Sequence, residues 1–438
     1  MRRLTARVAL LAIALGAALL PSACDPKPNA DVAAATSSSL RPRVQRRPIE
    51  LFTWWARVGE SDALGALQQA HQRRYPDDTI LNASAELSGL ARKTLRDRML
   101  RGEPPDTFQA NTGTDLMRWV VVNGLDSRES KLTPLDDVLP ETAEWRRVMP
   151  RAVIEPLSYD GKMYAVPSNV HRLNVVFYNK KVFADHALRE PTTIDELIAA
   201  GQKLRAASVD LFAVGSREPW TLALFVFECL LVAREGATFY ADYFGGRLTP
   251  DDPRMLATLK QALELLRFAN KNQRELSWAQ GLELVVRGRA ALTVMGDWAR
   301  VSLNAHGFVI GKDYGELAFP GSAGTFVYTS DTFPLPVSAK NVEGAKRLLR
   351  TLGSREGQLA LSSAKSSLSP RMDLPPPIDP VLRDKFELLQ RGPVVLALSG
   401  LVPSQFAEDV ANALPEMLAQ DDIEPVVHAL KSRYALLK

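Results

Sequence analysis

Between residues 49 and 122 the chain switches repeatedly between two periods, and this alternation restricts its fold more than any other feature. Ile49 to Thr53, after Pro48, is a short apolar run of strand length. Ala63, Leu64, Leu67, Ala70 and His71 then share one face of a helix that Pro76 ends. Thr79 to Ala83 reads as a second strand and residues 88–100 as a second helix. Pro104-Pro105 breaks that helix, Thr107 to Ala110 gives a third strand, and Asp115 to Val122 returns to helix. Parallel neighbours need a crossover, so a β-α-β-α-β order predicts a mostly parallel sheet covered by helices on both faces.

The texture then changes. Tyr159-Asp160-Gly161-Lys162 is a hairpin signal, followed by extended runs at Met163 to Val166 and Asn174 to Tyr178 with Pro167 between them. Two extended stretches in that arrangement predict a crossing between lobes. Thr193 with Glu196 is a capping box opening a helix to about Ala207. Leu222 to Ala233 is very apolar but too short to span a bilayer, which predicts a buried helix. Helices near 254–270 and 278–287 precede a strand at Ala290 to Met295. Phe333 to Val337 reads as a later strand returning to the first lobe, and helices near 404–419 and 423–436 end the chain. The 391 residues from Pro48 to Lys438 suffice for two cores. Several extended crossings predict two lobes sharing one chain: 48–168 with 328–375 as the N-lobe, and 169–327 with 376–438 as the C-lobe.

The start of the chain sets the expected compartment. Arg2, Arg3 and Arg7 precede an apolar run from Val8 to Leu20, and Ser22-Ala23 follow, which reads as a secretory signal over 1–23. Cys24 stands directly after the small residues, as in a lipobox, with Pro21 where leucine is usual. Acylation of Cys24 and ordinary cleavage nearby are the two readings. Asp25 resembles a signal for retention at the inner membrane, so the expected location is the periplasm, anchored through Cys24. Residues 24–47 lack apolar periodicity and read as a disordered tether whose arginines Arg41, Arg43, Arg46 and Arg47 could graze anionic headgroups.

The formal charge is +4, and removing the three arginines of the signal leaves +1. So neutral a body gives no reason to expect nucleic acid as a partner. Cys24 and Cys229 are the two cysteines, and Cys229 lies in an apolar helical run that predicts a buried thiol. The five histidines are scattered without metal-ligand spacing, so neither a metal nor another cofactor is expected.

Trp54-Trp55 sits at the end of the first strand with Glu60 close behind. Neighbours on a strand face opposite ways, so the pair either fills the core or splits one ring to the core and one to a cleft. An aromatic face beside a carboxylate suits a pyranose, whose C–H groups lie on the ring while its hydroxyls donate to the carboxylate. Other polar and aromatic groups stand at predicted element ends: Asn111, His171-Arg172, Trp278, Asp297-Trp298, Thr329-Ser330-Asp331 and the Lys365 to Arg371 loop. Element ends are where α/β folds bind ligands. Asp297 also suits an N-cap, His171-Arg172 also suits a hinge brace, and Trp220 is equally placed for core or pocket rim.

Taken in order, Trp54-Trp55 with Glu60, the Pro104 to Gln109 run, Tyr164 to Pro167, Asn169 to Arg172, Leu276-Ser277-Trp278, Val294 to Trp298 and Gly353 to Gln358 resemble extracytoplasmic solute-binding proteins of sugar ABC importers. The resemblance covers 48–438 and is of the maltose-binding-protein-like kind, most similar to the glucose/galactose-type binders. It implies a two-lobe, type II periplasmic-binding-protein fold with each lobe a sheet flanked by helices. It also implies a monomer that binds a mono- or small oligosaccharide and delivers it to membrane permease subunits. By the same resemblance Trp54 or Trp55 walls the sugar, Glu60 accepts from its hydroxyls, Trp278 is an opposing platform, Asp297 an acceptor and Lys365 a donor. Asn111 stands where relatives carry Lys or His, and the region of Leu398-Ser399 lacks a ligand-facing His. The rival readings are a secreted glycoside hydrolase, with its carboxylate pair drawn from Glu60, Asp297 and Asp331, and a sugar-binding protein that serves a sensor instead of a permease.

Overall fold

The structure, a computed structural model, describes residues 46–56, 60–83, 88–121 and 130–438. The signal, Cys24, the tether up to residue 45, the turn at 57–59 and the end of the predicted helix at Val122 lie outside them.

The first three strands pair in parallel in the order Ile80–Asn82, Ile49–Phe52, Thr107–Phe108, with Ile49 opposite Ile80 and Leu51 opposite Thr107. The helix Glu60–Arg74 buries Ala63, Leu64, Leu67, Ala70 and His71, the face that the periodicity predicts. The third predicted strand is broken at Gln109. Its second part, Ala110–Asn111, joins a different, antiparallel sheet with Asp331–Pro334 and Ala165–Pro167. The cause is local: Gln109 is fully buried and its amide is tied to two other segments, accepting from Trp54 N–H (3.1 Å) and donating to the Asp331 carboxylate (2.7 Å). The chain changes sheet where that side chain is anchored.

The second half holds a mixed sheet ordered Asp210–Phe212, Ala290–Val294, Val175–Asn179, Tyr314–Ala318. Its first pair is parallel and the other two are antiparallel. A further small sheet is ordered Val394–Leu396, Phe326–Thr329, His171–Arg172. The Thr193 capping box opens the helix Ile194–Ala206, with Thr193 and Glu196 satisfying each other's backbone donors. Asp160 (φ 48°) and Gly161 (φ 73°) supply the two left-handed residues of the hairpin that joins Ser158–Tyr159 to Lys162–Met163. The apolar run after Trp220 is buried as expected, but from Leu224 to Leu231 it winds as a π-helix and not an α-helix. Cys229 lies inside it, fully buried, and that burial pushes its thiol well above the ordinary range.

Two large apolar cores result. One packs Ile49, Leu51, Phe52, Leu67, Phe108, Trp145 and Val166 with Phe333 and the helix Val342–Gly353. The other packs Val176, Leu197, Phe212, Phe225, Phe227 and Leu292 with the helix Ser404–Gln420. The backbone passes between them at Ser168-Asn169-Val170 and at Ser330. These crossings are bonded to each other: Asn169 Nδ2 donates to Asp331 Oδ2 (2.7 Å), Asp331 N–H donates to Asn169 Oδ1 (3.0 Å) and Ser330 Oγ donates to Asn169 O (2.5 Å). A third passage follows Lys365, where Leu368 bridges Val170.

Candidate functional site

A cavity of about 200 Å³ opens beside these crossings, lined from both cores. Trp54, Trp55, Glu60, Arg92 and Asn111 face it from the first half. His171, Thr329, Asp331 and Lys365 face it from the crossings, and Trp220, Glu228, Trp278, Trp298, Leu398 and Ser399 from the second half.

The two adjacent tryptophans divide their duties. Trp55 is 1% exposed, meets Phe333 edge-on with ring centroids 5.5 Å apart, and carries the Lys365 ammonium over its face at 3.9 Å. Trp54 is half-buried, and the Arg92 guanidinium lies 5.2 Å from its ring centroid. Each indole thus has a cation on one side, an arrangement favoured by the ring quadrupole.

The opposite wall is aromatic. Ser277 opens the helix Trp278–Val286 with a capping box, which fixes Trp278 in its first turn. Gly215 permits this packing, because a Cβ there would lie 2.0 Å from the Ser277 carbonyl oxygen. Trp298 follows the strand Ala290–Val294, and its ring folds back over Gly296, where a Cβ would fall 2.0 Å from it. Trp220 stands 6.1 Å from Trp298, centroid to centroid. Trp220, Trp278 and Trp298 are all half-buried at the cavity.

One expected site residue is placed apart from the others. Asp297 does not line the cavity; it is fully buried behind it. Its carboxylate accepts from His171 Nδ1 (2.5 Å), Arg172 N–H (3.1 Å) and Lys385 Nζ (3.3 Å). Nor does it cap the helix Ala299–Ala305, which starts without a side-chain cap. Successive residues of the turn after the strand point different ways, and the turn delivers Trp298 to the cavity while Asp297 turns to His171. The carboxylate that reaches the cavity from the crossings is Asp331, held by Lys365 Nζ (2.8 Å), Asn169 and Gln109.

His171 therefore sits between two carboxylates, with Asp297 at Nδ1 and Asp331 Oδ2 3.7 Å from Nε2, and it meets Trp298 edge-on at 5.4 Å. It lines the cavity and braces the crossing at once. Burial opposes its charge, but the paired carboxylates outweigh burial and raise its pKa above the ordinary value. Burial likewise opposes ionisation of Asp297, yet Lys385 and His171 hold it down at about 2. Asp331 is kept well below the usual carboxylate range, mainly by Lys365 and His171 working against burial. Glu228 is the opposite case. Burial pushes it up to about 7, and only its acceptance from Leu398 N–H (2.8 Å) opposes that.

Several residues at the cavity were not among the expected site residues, Arg92, Trp220, Trp298, Asp331 and Glu228 among them, and Gln109 holds Asp331 from behind. Trp298 and Asp331 stood in motifs already singled out, one place away from the residue chosen or left to a rival reading. Glu228 gave the weakest signal, a lone acidic residue inside the apolar run from Leu222 to Ala233.

The sequence model for bacterial extracellular solute-binding proteins matches residues 60–359. The chain belongs to this family. An uncharacterized ABC transporter extracellular-binding protein of Pyrococcus horikoshii is 32% identical over 400 residues, 88% of each chain. A probable sugar-binding periplasmic protein of Brucella suis is 27% identical over 338 residues, 76% of each chain. Among solved structures, the bacterial solute receptor AcbH, described as having an exclusive preference for β-D-galactopyranose, superposes with a TM-score of 0.76 at 20% identity. That superposition covers 89% of this chain and 97% of the receptor. As in other solute-binding proteins, the fold is two α/β lobes, and the cavity lies where residues of both meet.

Proposed function

We propose that this solute-binding protein takes one small sugar into the interlobe cavity and passes it to the permease of an ABC importer. The observation that carries this reading is the joining of a tryptophan wall, Trp220, Trp278 and Trp298, to the polar groups Glu60, Asn111, Asp331 and Lys365 in one cavity. Indole faces suit the C–H surface of a pyranose, and the polar groups suit its rim of hydroxyls. About 200 Å³ is below the roughly 300–1,000 Å³ of pockets for drug-sized ligands, which favours a mono- or disaccharide over a longer chain. The sugar-binding name of the Brucella suis relative supports the same reading.

In this mechanism the sugar docks on one lobe and the other closes over it by rotation about the crossings at Ser168-Asn169-Val170 and Ser330. Contacts made only in the closed state supply the shift; a ligand touching one lobe alone could not drive it. Trp54, Glu60 and Asn111 on one side and Trp278 and Trp298 on the other give both lobes a hold on the ligand. Hydrolysis fits less well, because the Asp331 carboxylate is already occupied by three donors and Asp297 is out of reach. No bond is made or broken in the proposed cycle.

The test is a thermal-shift screen of the body from Pro48 against a few dozen mono- and disaccharides, run beside a turnover assay with aryl glycosides. A cognate sugar binds the native state and raises the melting temperature with the logarithm of its concentration. Turnover of a glycoside, or a screen in which no sugar raises the melting temperature, contradicts the reading.

A further inference from the structure

One part of the cavity differs from the rest. Leu173, Ala223, Leu224, Leu398, Ala407 and Ala411 bring the second core to the cavity as an apolar wall, and Glu228 is the ionisable residue of the lining that hydrogen-bonds to that wall, at Leu398. Trp220, Ala223, Leu224 and Glu228 lie along one stripe of the same helical segment, which becomes π-helical at Leu224. Such turns often mark functional sites, because the wider winding changes which side chains reach the helix surface. Glu228 is 6% exposed and lines the cavity, and its carboxyl group accepts a hydrogen bond from Leu398 N–H. Burial opposes its ionisation and that amide favours it, and among the described residues no cation acts on it.

A carboxyl group among alanines and leucines, with no counter-charge, keeps its proton more readily than an exposed one. In the acid form it can donate as well as accept. Four residues of the lining, Ala223, Ala397, Ala407 and Ala411, carry only a methyl group. A ring edge with several hydroxyls would bury polar groups against that wall without partners, at about 1–3 kcal/mol each. An arm with one carbon and one hydroxyl would not.

We propose that this end of the cavity is a subsite for the exocyclic hydroxymethyl arm of a hexopyranose, its carbon against the alanines and its hydroxyl bonded to Glu228. The proposal rests on the sugar-binding reading above and adds a ligand class to it: hexoses over the corresponding pentoses and 6-deoxy sugars.

Two series of probes vary the arm alone on a fixed ring. D-Galactose, D-fucose and L-arabinose carry CH2OH, CH3 and H, as do D-glucose, 6-deoxy-D-glucose and D-xylose. Calorimetric titration of the body from Pro48 should rank CH2OH above CH3 above H in at least one series, with the hydroxyl contributing on the order of tenfold in Kd. Glu228→Leu should bring the CH2OH to CH3 ratio close to one, and Glu228→Gln, which keeps a donor and an acceptor, should restore most of it. Ala411→Leu, which fills the chamber and leaves Glu228 in place, should weaken the hexose more than the pentose and gives an independent answer if Glu228→Leu does not fold. A series that binds with no dependence on the arm overturns the subsite and leaves sugar binding standing. So does a ratio that survives in Glu228→Leu, or equal weakening of hexose and pentose in Ala411→Leu. Failure of all six sugars to bind overturns the subsite; the sugar-binding reading falls with it only if the wider screen of mono- and disaccharides also finds no sugar that raises the melting temperature.

Discussion

Gly296 is a residue whose missing side chain has a purpose, because Trp298 occupies the space a Cβ would need. Gly296→Ala should displace the indole from the cavity wall and weaken ligand binding by roughly tenfold or more, the scale of a lost aromatic anchor. Tryptophan fluorescence titration would show it, and unchanged affinity would contradict the role given to Trp298. Glu228 yields a second prediction at this scale. The unfolded chain releases that proton near the ordinary 4.5, while the folded protein holds it to about 7. Between those values the folded state binds more protons, so Glu228 makes stability fall as pH rises, with no further loss above about 7. The amount at issue is on the order of 3 kcal/mol. Urea denaturation at about pH 5 and about pH 8 should show a smaller loss in Glu228→Gln than in the unaltered protein; equal losses would contradict it. Sequence reading located Trp54, Trp55, Glu60, Asn111, His171, Trp278 and Lys365, and the structure brings all of them to the cavity. It chose Asp297 over Trp298 because side-chain direction in a turn is set by packing, here by the His171 and Lys385 partners of Asp297, which no local pattern reveals.

Among the elements, the passages between the cores tie the two halves of the cavity together. Asn169 serves Asp331 twice, giving a hydrogen to its carboxylate and accepting one from its backbone. Asn169→Ala would leave the buried Asp331 N–H without its partner and the Asp331 Oδ2 with Lys365 as its remaining donor, a loss of about 1–3 kcal/mol that comes chiefly from the unsatisfied N–H. A drop of that size in urea-denaturation stability is the expected outcome, and a change below roughly 0.5 kcal/mol would contradict the account of the crossings. The strands of the first sheet and the long amphipathic helices were legible because their periods are strong. The strands His171–Arg172, Phe326–Thr329 and Val394–Leu396 were not, since each is short and is defined by partners far away in the chain. The π-helical segment was legible as buried but not as π, because the apolar run shows no face on which a change of period could be read.

For the whole molecule, two cores are joined by bonded crossings with the cavity beside them, and the proposed cycle has one lobe rotate on the other about those crossings. Addition of a cognate sugar should reduce the radius of gyration measured by small-angle scattering, and a ligand that binds without compaction would contradict closure. The account depends on one claim, that the tryptophan wall and the polar groups facing it grip a single sugar. Calorimetric titration of the unaltered protein and of Trp278→Ala with the best sugar from the screen tests it most directly. The account predicts saturable binding at one site, weakened roughly tenfold or more by the substitution, with the melting temperature of the free protein little changed. Binding of equal strength in both proteins would contradict it.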